Sequence, residues 1–311
     1  MEHAPYNLSI RRGIWALADP KISITSLASM TIGVSVASLE GPVNWFWFIV
    51  LGLAMFCMEV AKNAWGDIYD YDSGTDLAVA PQDRTNFSGG KRVLVDALLT
   101  RQQTWWIAAI FGMSGLLLGA AIVFFQEPKV FWLGLAGLLL GWSYHGPPLQ
   151  LVYRGLGELA VFLIYGPVIA VSTYMIQRHQ ISMDVLWLSL PLGLLITAFL
   201  WVNEFPDHDA DKSANKRNLI VILGKHRASR CLPFIYLTAF VLVMLMPLVT
   251  TIQAQIWAAF VALPSAILAS KWTWEAPADF YRSKPVQPMA LVSFVLYSAG
   301  VATSLLVFGN A

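Results

Sequence analysis

The chain has 311 residues, of which 57% are hydrophobic and only 13% are charged, and its mean hydropathy is +0.60. A soluble globular domain carries roughly 25% charged residues, so this composition excludes an ordinary soluble fold and indicates an integral membrane protein. The net charge of +1, without a basic tract, argues against nucleic-acid binding, and the two cysteines, Cys57 and Cys231, match no metal or redox spacing.

Nine apolar stretches predict helices that cross the bilayer. A hydrocarbon core about 30 Å thick requires about 20 apolar residues in a helix. The fourth stretch is short and ends at YHGPP (144–148), where two prolines end regular helix. The sequence therefore predicts an all-α integral membrane protein with spans near 22–39, 43–62, 104–125, 130–146, 157–177, 184–203, 231–250, 254–270 and 287–308.

The distribution of lysine and arginine predicts the orientation. Cytoplasmic segments of membrane proteins carry an excess of these residues. With the N-terminus inside, 18 of the 20 lysines and arginines fall in inner segments, and only Lys129 and Arg178 fall outside. We therefore expect a multi-pass protein of the inner (cell) membrane whose long loops face the cytoplasm. The inner segments are 1–21, 62–103, 147–156, 204–230 and 271–286.

Two polar segments repeat one pattern after the second and sixth predicted spans. They are NAWGDIYDYDSGTD (63–76) and NEFPDHDADKSANKR (203–217), called below the first and second motifs, and each begins with Asn-x3-Asp. A spacing of four places the two side chains one turn apart on one helix face. Four crossings separate the motifs, so both emerge on the cytoplasmic side. The resulting stripes are Asn63, Asp67 and Asp70 in the first motif, and Asn203, Asp207 and Asp211 in the second.

Clustered carboxylates at a membrane boundary repel one another unless cations neutralise them. Oxygen ligands without neighbouring histidine or cysteine favour a hard divalent cation such as Mg²⁺, which prefers a few carboxylates together with waters and substrate phosphates. Two facing clusters therefore predict a diphosphate held through Mg²⁺ by Asp67, Asp70, Asp207 and Asp211. Basic residues that would neutralise such a substrate follow each cluster: Arg84, Lys91 and Arg92 after the first, and Lys212, Lys216 and Arg217 after the second.

A single acidic cluster is more simply a solvated loop, but two matching stripes on one side of the membrane favour the metal site. Asp72 and Asp76 are expected beyond the helix end, in a turn with Gly74. Asp83 and Asp96 are interpreted as surface charges.

Between the motifs, VLVDALLT (93–100) predicts a short amphipathic helix over the site, with Leu94, Leu98 and Leu99 on its apolar side. The pair Gly89-Gly90 fits either a phosphate-binding nest or a flexible loop.

These segments together resemble the UbiA superfamily of intramembrane prenyltransferases, over roughly residues 12–308. The two motifs are similar to those of its menaquinone branch, and YHGPPLQLVYRGLGELAVFLIYGP (144–167) resembles the branch's connection between the fourth and fifth helices. The chain departs from that branch at Gly66, where a second asparagine is frequent, and at Ala214-Asn215, where a glycine commonly precedes the Lys-Arg pair.

The resemblance implies one UbiA-like domain over 1–311, with nine helices around a central cavity and cytoplasmic cap loops. It implies that the two Asn-Asp stripes bind Mg²⁺ and diphosphate, with Lys91, Lys212 and Arg217 as diphosphate contacts. Tyr144 and Arg154 would lie near the acceptor, and Arg154 would either pair with an acidic acceptor or anchor the loop to lipid headgroups. Glu158 and Glu204 are further polar groups near the site, and an acceptor-facing role for Glu204 is open.

The implied reaction is transfer of a polyprenyl group from its diphosphate to an aromatic acceptor, for which the branch indicates 1,4-dihydroxy-2-naphthoate in menaquinone biosynthesis. Tyr69, Trp142, Tyr144 and Tyr165 are candidates to stabilise the allylic cation. A terpene cyclase of the same fold is one alternative. A transporter is disfavoured because the predicted spans carry almost no ionisable residue apart from Glu59. The sequence does not fix prenyl chain length, acceptor, number of metal ions or oligomeric state.

Overall fold

The computed structural model describes residues 6–251 and 254–308, and this part of the chain is helical with no β-strand. Short 3₁₀ turns cover Pro81–Asp83, Leu151–Arg154, Met246–Leu248 and Ala254–Ala262, and a π-helical turn covers Ile164–Val168. The α-helices are α1 Tyr6–Ala18, α2 Pro20–Leu39, α3 Trp45–Asp72, α4 Thr75–Ala78, α5 Arg101–Phe125, α6 Val130–His145, α7 Gly157–Leu163, α8 Ile169–Arg178, α9 Met183–Ser213, α10 Leu219–Leu223, α11 Lys225–Leu245, α12 Leu263–Glu275, α13 Phe280–Ser283 and α14 Val286–Phe308.

Within the described residues, seven helical segments are long and apolar enough to cross a bilayer. They confirm the predicted multi-pass membrane protein and coincide with seven of the nine predicted spans. The other two predicted spans are less regular. The fourth is α6, an apolar helix of 16 residues. The eighth is divided between the 3₁₀ turn Ala254–Ala262 and α12, and residues 252 and 253 before it lie outside the described part.

The main hydrophobic core lies where α2, α8, α9, α11 and α14 pack together. Leu192, Leu195 and Phe294 are fully buried there. Two polar side chains of α14 inside this core are paired with backbone carbonyls, as burial favours. The Tyr297 hydroxyl donates to the Leu188 carbonyl at 2.8 Å, and the Ser298 hydroxyl donates to Ala28 at 2.8 Å. This pairing fixes α14 against α9 and α2.

A close approach of two glycines joins the π turn to α9. Pro167 has no amide hydrogen to donate, and the helix between α7 and α8 widens by one residue at this point. A Cβ on Gly166 would lie 3.1 Å from the Gly193 Cα, and a Cβ on Gly193 would lie 2.9 Å from the Phe162 carbonyl oxygen. The two backbones therefore touch without intervening side chains.

The segment 73–100 connects α3 to α5 and covers the end of α3. The predicted helix over 93–100 is wrong, because residues 93–97 form turns and residues 98 and 99 form a bend. Arg92 and Ala97 adopt left-handed backbone conformations, with φ of 54° and 51°, which interrupt helical geometry. The apolar pattern is nevertheless buried at Leu94 and Leu99, while Leu98 is partly exposed.

Asp83 in this segment is buried, so its interpretation as a surface charge is wrong. Its carboxylate accepts a hydrogen bond from the Tyr281 hydroxyl at 2.8 Å and pairs with Arg282. Asp83 therefore ties the 73–100 segment to α13. Asp96 is exposed as expected and pairs with Arg92 at 2.7 Å.

Candidate active site

Both Asn-Asp stripes lie on continuous helices. Helix α3 runs to Asp72 and α9 runs to Ser213, beyond the ends of the predicted spans. The stripes are therefore held on rigid elements in the predicted helical register. Each helix ends at a left-handed residue just past its cap, Gly74 with φ of 80° and Asn215 with φ of 57°.

Lys216 brings the two motifs together. Its Nζ lies 3.3 Å from Asp70 Oδ1 and 3.5 Å from Asp211 Oδ1, so carboxylates from α3 and α9 share one ammonium group. Burial alone would lower the pKa of Lys216, but the charges of Asp211 and Asp70 outweigh burial and raise the pKa well above its ordinary value. One carboxylate from each stripe thus contacts Lys216, and the region around Asp70, Asp211 and Lys216 is called the chamber below.

Several oxygens of the second motif have no hydrogen-bond partner. Asn203 Oδ1, Asp207 Oδ1 and Asp211 Oδ1 are inaccessible to solvent and make no hydrogen bond to any described residue. The remaining Asp211 oxygen accepts from the Asn218 side chain at 2.8 Å. Asp211 Oδ1 still faces the Lys216 ammonium at 3.5 Å, so of these three oxygens only those of Asn203 and Asp207 lack any partner among the described residues. Unpaired buried oxygens are costly, so these two atoms mark where a ligand would be bound.

The first motif is partly engaged by neighbouring backbone. Asp67 accepts hydrogen bonds from the Val93 amide at 3.2 Å and the Leu94 amide at 3.1 Å. Asn63 donates to the Leu17 carbonyl at 2.8 Å. Asp67 therefore anchors the 73–100 segment while its carboxylate remains on the stripe.

Asp76 also belongs to the chamber, although the sequence places it beyond the helix. It is 3% exposed and touches Gly90, whose φ of 75° and missing side chain permit the contact. Burial, followed by the negative charge of Asp70, raises the pKa of Asp76 to about 8. Burial and the charge of Asp70 thus disfavour the ionised form of Asp76 in the absence of a further cation.

The donor set fits a divalent cation. Three observations indicate too little positive charge for the acidic groups present: the unpartnered Asp207 oxygen, the single ammonium shared between the two stripes, and the raised pKa of the buried Asp76. No three acidic, histidine or cysteine side chains of the described residues converge tightly enough to hold an ion alone. An ion bound here would therefore complete its coordination with waters and substrate oxygens.

The predicted basic residues occupy different environments. Lys91 is partly buried and pairs with Asp19. Lys212 and Arg217 are exposed, whereas Lys216 between them points inward. Two further cations are exposed and bound to carbonyls: Arg84 contacts Val79 and Arg154 contacts Pro148.

Two groups near the chamber, His145 and Lys62, were not predicted from the sequence as site residues. His145 is buried, and its Nε2 lies 3.8 Å from Asp70 Oδ2. A Cβ on Gly66 would lie 3.1 Å from the His145 ring, so Gly66 provides the space for the imidazole. Lys62 lies with its Nζ 5.5 Å from the centre of the Tyr144 ring. The atypical Gly66 was a usable signal for His145, while Lys62 looked like an ordinary charge at a span end.

Of the four predicted aromatic candidates, two contact His145 in the chamber and two lie elsewhere. Tyr69 stacks on His145 with ring centres 6.5 Å apart, and Tyr144 packs edge-on against His145 at 4.8 Å. Tyr165 is partly buried near Glu59 and Thr25. Trp142 is 51% exposed on the outside of α6 and packs against Trp65.

The chain is similar in sequence and in fold to proteins of a known family. The model of the UbiA prenyltransferase family matches residues 26–307. The chain belongs to the UbiA prenyltransferase family. It is thus a prenyltransferase, and the family match spans both motifs and every candidate residue named above. A 1,4-dihydroxy-2-naphthoate octaprenyltransferase of Bacillus subtilis is 23% identical, with 86% of this chain and 84% of that protein covered. A 2-carboxy-1,4-naphthoquinone phytyltransferase of Synechocystis is 26% identical, with 74% and 72% covered.

Solved structures of this family share the fold. A UbiA homologue from Archaeoglobus fulgidus, bound to DMAPP and Mg²⁺, superposes with a TM-score of 0.68 at 16% identity, covering 93% of this chain and 99% of that one. The apo UbiA homologue from Aeropyrum pernix gives 0.66 at 18% identity, covering 94% and 98%.

Proposed function

We propose that this protein transfers a polyprenyl group from its diphosphate to an aromatic acceptor within the membrane, in a Mg²⁺-dependent reaction. The observation that carries the proposal is the convergence of α3 and α9 carboxylates on Lys216. The relatives named as naphthoate prenyltransferases support 1,4-dihydroxy-2-naphthoate as the acceptor, in menaquinone biosynthesis.

In this proposal Asp67, Asp70, Asp207 and Asp211 hold the cation, with Asn63 and Asn203 beside them. Mg²⁺, when bound, supplies positive charge that stabilises the diphosphate as its bond to the allylic carbon breaks. Lys216 contributes a second positive charge directly from the chain, and Lys91 lies beside the first motif. Arg84, Lys212 and Arg217 lie at the exposed rim, where they would attract the anionic substrate rather than grip it.

Protein groups would also protect the allylic cation from water. Tyr69 and Tyr144 pack against His145 of the chamber, and Tyr165 lies near Glu59. Aromatic rings attract a cation by about 0.5–2 kcal/mol each. Exclusion of water by the surrounding helices keeps the cation available for the acceptor carbon. The prenyl tail is apolar and would extend between helices into lipid.

We further propose the finer topology: nine crossings, one domain over the whole chain, and an active site facing the cytoplasm from the inner membrane. Seven apolar spans, the apolar α6 and the lysine and arginine distribution support this arrangement.

A terpene cyclase is the competing enzyme of the same fold, because the cation could close on its own chain. The relatives named for naphthoate acceptors favour transfer.

The deciding experiment incubates purified protein in lipid nanodiscs with labelled geranylgeranyl diphosphate and Mg²⁺, using a naphthoate, a hydroxybenzoate or no acceptor. With the naphthoate we expect a prenylated naphthalenediol, because the prenyl group replaces the carboxylate, which leaves as CO₂; the diphosphate is the other product. We expect no product after EDTA treatment. A hydrocarbon formed without acceptor would replace transfer by cyclisation.

A further inference from the structure

Tyr144 lies among polar side chains beside the carboxylate chamber, and this group of residues is called the pocket below. It is 9% exposed and lies where α6 ends, against α7. Gly157 gives it room, since a Cβ there would lie 3.2 Å from the Tyr144 ring. Charged groups from three helices lie near the ring: Lys62 from α3, Glu158 from α7 and Glu204 from α9, together with Asp70 and Lys216 of the chamber.

Lys62 is the pocket's positive end. Its ammonium lies over the Tyr144 ring at 5.5 Å, and no described carboxylate lies within 4.0 Å of it. The nearby Glu59 is engaged elsewhere, because its two oxygens accept hydrogen bonds from Ser23 and Ser26. Lys91 and Lys216, by contrast, each have a carboxylate partner. A partly buried ammonium without a counter-ion indicates a missing anion.

Lys62 is close enough to Asp70 and Lys216 to interact with their charges, but it leaves α3 at a different height from the first motif. It precedes Asp67 by five residues, which corresponds to about 7.5 Å along a helix axis, on the membrane side of the motif. An anion at Lys62 would therefore lie deeper than the group bound at Asp67 and Asp70.

Glu158 and Glu204 form the pocket's accepting end. Glu158 is 2% exposed and Glu204 is 7% exposed, and their carboxyl groups adjoin one another. Glu158 Oε1 accepts from the Leu219 amide at 2.6 Å. The Oε2 atoms of both residues are buried without a hydrogen-bond partner among the described residues. Unsatisfied acceptors of this kind are matched by hydroxyl donors of a ligand.

We propose that this pocket is the acceptor subsite, and that it selects a planar aromatic carrying a carboxylate at one end and hydroxyl groups at the other. Lys62 binds the carboxylate, Tyr144 packs on the ring, and Glu158 with Glu204 accept from the hydroxyls. Recognition of an acidic acceptor is thereby assigned to Lys62 instead of Arg154, which is exposed and bound to Pro148. The inference rests on the proposed prenyl transfer and names its acceptor class.

The test compares two acceptors, 1,4-dihydroxy-2-naphthoate and 1,4-naphthalenediol, which lacks the carboxylate. For Lys62→Met we expect the KM of the naphthoate to rise about tenfold or more, because a charge-assisted contact is lost. The KM of the diol and of the prenyl diphosphate should stay within about twofold of wild type on the same reasoning. Lys62→Arg should restore naphthoate affinity. Glu204→Gln should raise the KM of both acceptors, because both carry the hydroxyls.

Several outcomes would overturn the assignment. An equal effect of Lys62→Met on both acceptors would remove the carboxylate contact. A rise confined to the KM of the prenyl diphosphate would move Lys62 to the donor's phosphates. Unchanged acceptor KM values in Glu204→Gln would remove the hydroxyl end.

A binding measurement separates this inference from the proposed function. Equilibrium binding of the naphthoate to nanodisc-embedded protein, without diphosphate or Mg²⁺, requires no turnover. Lys62-dependent binding without any prenyl transfer would support the subsite and refute the proposed reaction. Transfer with Lys62-independent binding would refute the subsite alone. Unchanged melting temperatures of the variants exclude misfolding as the cause.

Discussion

Asp207 and Asp209 lie two residues apart on α9 in contrasting environments. Asp207 Oδ1 is buried and unpartnered in the chamber, whereas the Asp209 side chain is 75% exposed and pairs with Lys225 at 3.5 Å. The same helix therefore offers a site residue and a matched control with identical chemistry.

We expect Asp207→Asn to lower turnover by at least about 100-fold, because it removes a charge that would hold the cation facing the leaving group. Asp209→Asn should retain activity within about twofold, since exposed ion pairs contribute little. Initial rates at saturating Mg²⁺, with melting temperatures as a folding check, measure both. Comparable losses in the two variants would contradict a specific role for Asp207.

Backbone conformation determines which basic residue of the second motif points into the site. The sequence offers Lys212, Lys216 and Arg217 within six positions, and residue type alone does not separate them. The chain reverses at Asn215, with φ of 57°, and the Lys216 amide donates back to the Asp211 carbonyl at 2.8 Å. Only Lys216 is thereby directed at the carboxylates.

At the scale of elements, Lys216 is the link between α3 and α9. In Lys216→Met, Asp70 and Asp211 would face each other without a counter-ion, which costs up to about 3 kcal/mol for a largely buried pair. We expect a lower melting temperature in EDTA, and a larger gain on adding Mg²⁺ than wild type shows, because the metal replaces the lost charge.

Lys212→Met is the matched control, since Lys212 is exposed four residues earlier. It should melt like wild type with and without Mg²⁺. Differential scanning fluorimetry in detergent gives both values. A Lys216→Met protein that Mg²⁺ does not stabilise beyond wild type would contradict cation binding between the two helices.

Helices were predictable where one physical signal dominates. Apolar runs located the long helices, and the Asn-x3-Asp spacing placed both stripes on helix faces. The turns over 93–97 and the bend at 98 and 99 were not predictable, because their apolar pattern fits a helix. Contacts between residues distant in sequence determine the conformation of this segment, because the Val93 and Leu94 amides donate to Asp67. The burial of Asp83 has the same origin, since its partners lie on α13.

At the scale of the whole molecule, the proposed orientation places the motifs and Lys129 on opposite sides of the membrane. In a background of Cys57→Ala and Cys231→Ala, we expect Asp209→Cys to react with a membrane-impermeant maleimide only after right-side-out vesicles are opened. Lys129→Cys should react in sealed vesicles. Both positions are exposed, so differences in labelling report sidedness. Reaction of both residues in sealed vesicles would refute the topology.

Hydropathy alone does not determine how many helices cross the membrane. Apolar composition identifies seven spans directly, but α6 is only 16 residues long and the eighth predicted span is partly 3₁₀ helix. A 3₁₀ helix rises about 2.0 Å per residue against 1.5 Å for an α-helix, so residue counts alone do not give the thickness that such a segment covers.

The contact between Gly166 and Gly193 has a consequence far from where it occurs. Gly193 lies on α9, the helix that carries the second motif, and Asp207 follows it by 14 positions, about 21 Å along the helix axis. Because no side chain separates the two glycines, the contact between their backbones fixes the position of α9 along its axis and its rotation about that axis. An added methyl group at Gly193 would push α9 away from the π turn and shift the acidic oxygens at its far end. The geometry of the carboxylates therefore depends on the smallest residue in a distant part of the same helix.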